Sequence, residues 1–332
     1  MKRLVYLLFI LTISVVSCTE TPVSKKIKFS GETQGSYYVV TYYDDEGRNF
    51  QKEIDSLLGV FDQSMSLWVD NSILNKVNDN DTTVQLDDIF IEVFKASKEI
   101  SEATNGAFDF TVAPLTAAWG FGAKRRLNMD STRVDSLLQY VGYQKVKIEK
   151  GKVIKDNPDV MFDFNAIAQG YTCDYLGDWF RSKGINDYVI DVGGEVVANG
   201  AKPDGSPWIV GIQDPTDPNE FSSYIKIKLY DKGLVTSGNY RKFHEQNGFK
   251  VVHTISPITG YPVYDSLLSA TILAKDAMTA DGYATACMVM GLDKSKEFVE
   301  DRDDLEGYFI YYTSDSTLHT YYTQGMKAVF DK

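Results

Sequence analysis

The chain has 332 residues, 43% of them hydrophobic and 13% aromatic, which excludes a disordered or low-complexity protein. Its formal net charge is −12 and it carries no basic run interleaved with aromatics, so composition argues against nucleic acid as a partner. An acidic protein that handles phosphates needs a metal or local cations to offset its own field.

The N-terminus reads as an address. Lys2 and Arg3 precede an apolar run over residues 4–16, broken only by Thr12 and Ser14. That length suits a signal-peptide core and is too short to span a bilayer. The run ends in Val15-Val-Ser-Cys18, a bacterial lipobox pattern. Cleavage before Cys18 predicts a signal peptide over residues 1–17, a lipidated cysteine and a polar tether over 18–28. The alternative is an ordinary secreted protein with a chance cysteine. Thr19 offers no aspartate retention signal, so the anchor lies in the inner membrane or the inner leaflet of the outer membrane, facing the periplasm.

Strands and helices follow from hydrophobic period and turn residues. Residues 29–43 alternate and predict a strand after a turn over residues 31–35. Helical spacing predicts helices over 48–63, from Ser72 toward Asn78, over 87–104 closed by Asn105-Gly106, over 131–141 and over 166–184. A hairpin is predicted over 146–154, and two strands around Gly193-Gly194 over 188–200. Strands follow at 208–212, 224–229, 233–236 and 269–273. A helix over 278–290 and a hairpin over 307–322 end the chain. Strands outnumber helices and are often consecutive, which fits α+β with mixed and antiparallel sheets flanked by helices.

The reactive residues are few. After Cys18 only Cys173 and Cys287 remain; each sits in an apolar stretch and reads as a buried thiol, with a disulfide the alternative. Three histidines make a multi-histidine metal site improbable. Asp281 and Thr285 are four apart, so on a helix both oxygens lie on one face. A carboxylate and a hydroxyl at that spacing suit a hard cation such as Mg²⁺. The stretch His253-Thr-Ile-Ser-Pro-Ile-Thr-Gly-Tyr-Pro262 is a stiff turn that fixes His253. Trp119-Gly120-Phe121-Gly122 places flat aromatics beside glycines, suited either to stacking on planar rings or to a core cluster at a turn. Asp163 precedes a helix start, where an acid alone stabilises the N-terminus. Arg241 sits in Thr236-Ser-Gly-Asn-Tyr-Arg241, a turn rich in phosphate-binding groups.

Taken in order, these segments resemble the ApbE family of FAD:protein FMN transferases. Asn105-Gly-Ala-Phe-Asp-Phe-Thr-Val-Ala-Pro-Leu115 with Trp119 to Gly122 is similar to its flavin-binding signature. Asp163-Phe-Asn-Ala-Ile-Ala-Gln-Gly-Tyr-Thr-Cys-Asp174, Asp191-Val-Gly-Gly-Glu195, Thr236 to Arg241, His253 to Pro262 and Ala280 to Ala286 match the later motifs. The chain departs from the family at Gln34-Gly35-Ser36 and at Gln169. The resemblance implies one domain over residues 29–332, with an architecture related to the T-fold. It implies FAD contacts from Gln34, Trp68, Trp119, Gly120, Phe121, Asp163, Gln169, Ser237, Arg241 and Ile255. It further implies a Mg²⁺ site from the Ala166 carbonyl, Asp281 and Thr285.

The expected reaction is Mg²⁺-dependent transfer of FMN from FAD to a threonine of another protein, with AMP released. His253 is the candidate general base. The expected acceptor is a subunit of a Na⁺-pumping or Rnf-type respiratory complex. Acceptors of the family carry a pattern like Asp-Gly-x-x-Thr-Gly/Ala, which Asp281 to Ala286 matches superficially; Thr285 reads better as a ligand on a helix. The alternatives are an FAD pyrophosphatase using the same site and a non-catalytic FAD-binding lipoprotein.

Overall fold

Alternating apolar residues build an eight-stranded sheet on which the rest of the molecule is arranged. The computed structural model describes residues 24–122, 126–217, 223–239, 243–246 and 249–331. In chain order come β1 (Lys25–Thr33), β2 (Ser36–Asp44), α1 (Gln51–Met65), α2 (Ile73–Asn78), α3 (Asp88–Ala103), α4 (Ala113–Trp119) and α5 (Ser131–Leu138). Then follow β3 (Val146–Glu149), β4 (Lys152–Lys155), α6 (Ala168–Ser182), β5 (Tyr188–Val192), β6 (Glu195–Asn199), β7 (Trp208–Gln213) and β8 (Ser223–Leu229). The chain continues through β9 (Lys232–Gly238), β10 (Phe243–Gln246), β11 (Phe249–Val252), β12 (Leu267–Ala274) and α7 (Ala277–Met290). It closes with α8 (Leu292–Glu300), β13 (Glu306–Tyr312), β14 (Leu318–Tyr322) and α9 (Gln324–Ala328).

The main sheet has the order β1-β2-β5-β6-β9-β12-β13-β14, and its ladders are antiparallel. Alternate side chains leave on opposite faces, so the sheet separates two cores. On one face Tyr38, Val40, Ile190, Val192 and Val235 pack under the helices, against Phe90, Phe162, Phe164 and Phe180. Each fully buried phenylalanine contributes about 1.5–3 kcal/mol. On the other face Val196, Ala198, Leu234, Leu273 and Ile310 meet Trp208, Ile212 and Ile227 of the β7–β8 hairpin. Among the described residues no helix is long and apolar enough to cross a membrane.

The structure departs from the sequence reading in several places. The turn expected over residues 31–35 falls at Gln34 and Gly35, at φ 50° and 70°, and joins two strands of a hairpin rather than preceding a single one. Its first strand takes in Lys25 to Lys28, residues expected in the tether, which pair with Thr41 to Asp44. The helix expected over 131–141 stops at Leu138. Helices α4, α8 and α9 and the β10–β11 hairpin were not anticipated. Cys173 and Cys287 are buried free thiols. Cys18 lies outside the described residues.

Candidate functional site

Helix α7 is anchored at its start by two acids. Asp276 accepts from Thr279 N–H at 2.7 Å, and Asp174 of α6 accepts from Ala277 and Met278 N–H at 3.0 and 2.7 Å. Burial, with Asp276 close by, pushes the Asp174 carboxyl up to about 8. These bonds satisfy N-terminal amides that a helix leaves unpaired, and they tie α7 to α6. Gly170 lets the two helices touch. A Cβ there would lie 2.8 Å from both the Ala277 carbonyl carbon and Asp281 Cβ.

That contact creates the polar centre of the site. Gly170 N–H donates to the buried Asp281 Oδ2 at 3.0 Å. Gly170 lies in the first turn of α6, whose amides have no partner within the helix, so Asp281 satisfies a donor that the helix leaves open. One turn along α7, Thr285 Oγ1 lies 3.3 Å from Ser237 Oγ on β9. Ala166, Asp281, Thr285 and Ser237 all line a single cavity of about 1320 Å³. A carboxylate, a hydroxyl and a main-chain carbonyl form an all-oxygen set, the donor chemistry of Mg²⁺. The residues present therefore fit such an ion.

The cavity gathers most of the other predicted residues. Gln34, Trp68, Phe121, Asp163, Gln169, His253 and Ile255 line it with those four. Asp163 is buried, accepts from Thr116 Oγ1 at 3.0 Å and Asn165 N–H at 2.9 Å, and is held above the usual carboxylate range by burial. Gln34 donates through Nε2 to Thr172 Oγ1 at 2.7 Å. Trp68 stands 64% exposed at the rim, an aromatic surface open to a ligand. His253 is half-buried with its ring edge-on to Phe121, centroids 6.3 Å apart. Its loop is pinned by Ser256 N–H to Tyr261 O at 2.9 Å, Val263 N–H to Thr254 O at 2.9 Å and an Ile255–Pro262 bridge.

Two expected flavin contacts sit elsewhere. Trp119 and Gly120 do not line the cavity. Trp119 is buried, and its Nε1–H donates to Gly260 O at 2.8 Å, clamping α4 to the loop that carries His253. An indole N–H buried in a core finds such a partner. Gly120 ends α4 at φ 94°, a left-handed conformation that favours glycine. Arg241 lies outside the described residues.

Asp191 lines the cavity, yet the sequence reading gave it no role. It accepts from Gly194 N–H at 2.9 Å and from Tyr37 O–H at 3.4 Å, and burial pushes it up to about 6. An aspartate opening a Gly-Gly turn is a local signal that could have found it. Gly193 has φ +69°, and a Cβ there would stand 2.5 Å from Gln169 Nε2. Thr116, which steadies Asp163, carried no sequence signal.

Comparison with known proteins finds relatives of this chain. The sequence model of the ApbE family matches residues 34–309. An FAD:protein FMN transferase of Haemophilus influenzae is 32% identical over 314 residues, covering 90% of each chain. One from Vibrio cholerae is 33% identical over 285 residues, covering 83% of this chain and 85% of the relative. The solved flavin transferase ApbE from Vibrio cholerae superposes with a TM-score of 0.81 at 30% identity, covering 92% of this chain and 100% of that one. The ApbE protein of Thermotoga maritima gives 0.81 at 25% identity, covering 93% and 100%.

Proposed function

This chain belongs to the ApbE family, and we propose on that footing that it is a transferase moving FMN from FAD to a threonine hydroxyl of an acceptor protein, with AMP released. The observation that carries the reading is the buried Asp281–Gly170 contact beside a cavity that Ala166, Asp281 and Thr285 all line. The Asp281 carboxylate, the Thr285 hydroxyl and the Ala166 carbonyl would hold Mg²⁺, which supplies charge neutralisation for a pyrophosphate. Phe121 and the exposed Trp68 ring offer surfaces for the flavin. The Ser237 hydroxyl, which lines the cavity beside Thr285, offers a donor for a phosphate oxygen.

In the reaction the threonine Oγ forms a bond to the FMN phosphorus. The bond from that phosphorus to the bridging oxygen breaks, and AMP leaves with that oxygen. The threonine proton passes to His253, fixed by Phe121 and its pinned loop. Histidine is the side chain that most often serves as a general base. Positioning and electrostatics supply most of what such a transfer needs. The enzyme works, in this reading, tethered by lipidated Cys18 and facing the periplasm.

The test follows AMP by chromatography, with FAD and Mg²⁺ present, with and without a domain bearing the Asp-Gly-x-x-Thr-Gly/Ala pattern. AMP formation that depends on the acceptor is the expected result. AMP and free FMN at the same rate without acceptor would make the protein a pyrophosphatase.

A further inference from the structure

At about 1320 Å³ the cavity exceeds the roughly 300–1,000 Å³ usual for small-ligand pockets. Part of it lies on the sheet face turned away from α6 and α7. Tyr38, Val40, Ile190, Val192 and Val235 point to the helix side, so the alternating residues Val39, Thr41, Asp191, Val196 and Thr236 point the other way. All five line the cavity, and the register sets Val39 opposite Asp191 and Asp191 opposite Val196. They form the floor of a groove crossing several strands.

One wall of that groove is β7. Ile209, Val210 and Gly211 line the cavity, whereas no described residue of β8 does. The far edge of β8 is closed by the C-terminal residues, through an Ile227–Phe330 bridge, Lys228 N–H to Val329 O at 2.7 Å and Asp331 N–H to Lys226 O at 2.8 Å. Among the described residues β7 forms a ladder with β8 alone, so its other edge faces the groove. Tyr37 and Ile209 stand 42% and 41% exposed along it. A strand edge offers a row of N–H and C=O groups that another extended main chain satisfies best.

We infer that this groove receives an extended segment of the acceptor polypeptide, which adds to the open edge of β7 while its threonine enters the deep part of the cavity beside Gly193 and Gly194. The inference rests on the flavin-transfer reading, because the groove and the transfer site are one continuous space and the second substrate must reach that site. Main-chain pairing accounts for docking with little demand on the acceptor's sequence away from its threonine.

The experiment is hydrogen–deuterium exchange on the FAD-loaded protein, with and without a domain bearing the Asp-Gly-x-x-Thr-Gly/Ala pattern. Protection of amides in Trp208–Gln213 only when that domain is present is the expected result. Normal acceptor labelling without protection there would overturn the docking and leave the flavin-transfer reading standing; no labelling by the wild-type protein would overturn that reading itself. A dimer that protects β7 without acceptor would assign the edge to a second copy and overturn the proposal. In parallel, Ile209→Arg should raise KM for the acceptor domain about tenfold, with kcat and FAD affinity kept. An unchanged KM would contradict the groove's role.

Discussion

Replacing Gly170 by alanine tests the helix contact that builds the site. The added Cβ would stand 2.8 Å from Asp281 Cβ and from the Ala277 carbonyl carbon, and closer still to the Ala277 oxygen. Backbone lies on one side, so relief requires α6 and α7 to separate. Overpacking of this kind costs about 1–3 kcal/mol. Separation also breaks the 3.0 Å bond from Gly170 N–H to the buried Asp281 carboxylate, worth about 1.5–3 kcal/mol. Alanine's helix preference over glycine returns about 1 kcal/mol. The net loss is about 2–5 kcal/mol; at roughly 2.1 cal/mol/K per residue, Tm falls by about 3–7 °C. Gly59 is the control: it lies within α1, is exposed, and has nothing within 4 Å of an added Cβ. Gly59→Ala should gain about 0.4–1 kcal/mol. Calorimetry on both variants, with transfer assayed on each, gives the answer. A Gly170→Ala protein as stable and active as wild type would show that the Asp281 geometry does not depend on this contact.

Further outcomes follow from the same site. Asp281→Asn keeps the shape but removes the charge, so transfer at saturating FAD and Mg²⁺ should fall at least about 100-fold, while FAD binding, followed by fluorescence, survives in part. Asp191 is raised from the usual 3.8 to about 6, so it binds a proton more tightly when folded. Its contribution is complete below pH 3.8 and is lost as pH rises through 6, at 1.36 kcal/mol per unit about 3 kcal/mol. Asp191→Asn should therefore gain stability relative to wild type between pH 4 and pH 8 in denaturant titrations; equal pH dependence would contradict the burial. Cys18→Ala should leave the precursor unprocessed or release the protein from membranes, read by fractionation and by mass; a lipid-bearing, membrane-bound variant would contradict the anchor.

The sequence revealed what local pattern controls. The four-residue step from Asp281 to Thr285 placed both on one helix face, and α7 has both of them at the cavity. The Gly193-Gly194 turn between β5 and β6 was equally plain. Contacts between distant segments were not. Asp174 reads as one more helical acid, yet it caps a helix 103 residues away. Trp119 read either as a stacking platform or as a core aromatic at a turn, because nothing near it in sequence shows that Gly260 holds its indole. Helix α4 escaped notice because it is short, seven residues with a proline in its first turn. The floor of the β7 groove was hidden as well, since alternation in β2 and β5 shows two faces but not which elements cover them.

The most direct test of flavin transfer is the intact mass of an acceptor domain after incubation with the protein, FAD and Mg²⁺, with peptide mapping of any adduct. The reading predicts a gain of one FMN moiety, less water, on a single threonine, matched by one AMP, and no gain when that threonine is alanine. An unmodified acceptor beside FAD consumed to FMN and AMP, or beside intact FAD, would contradict it.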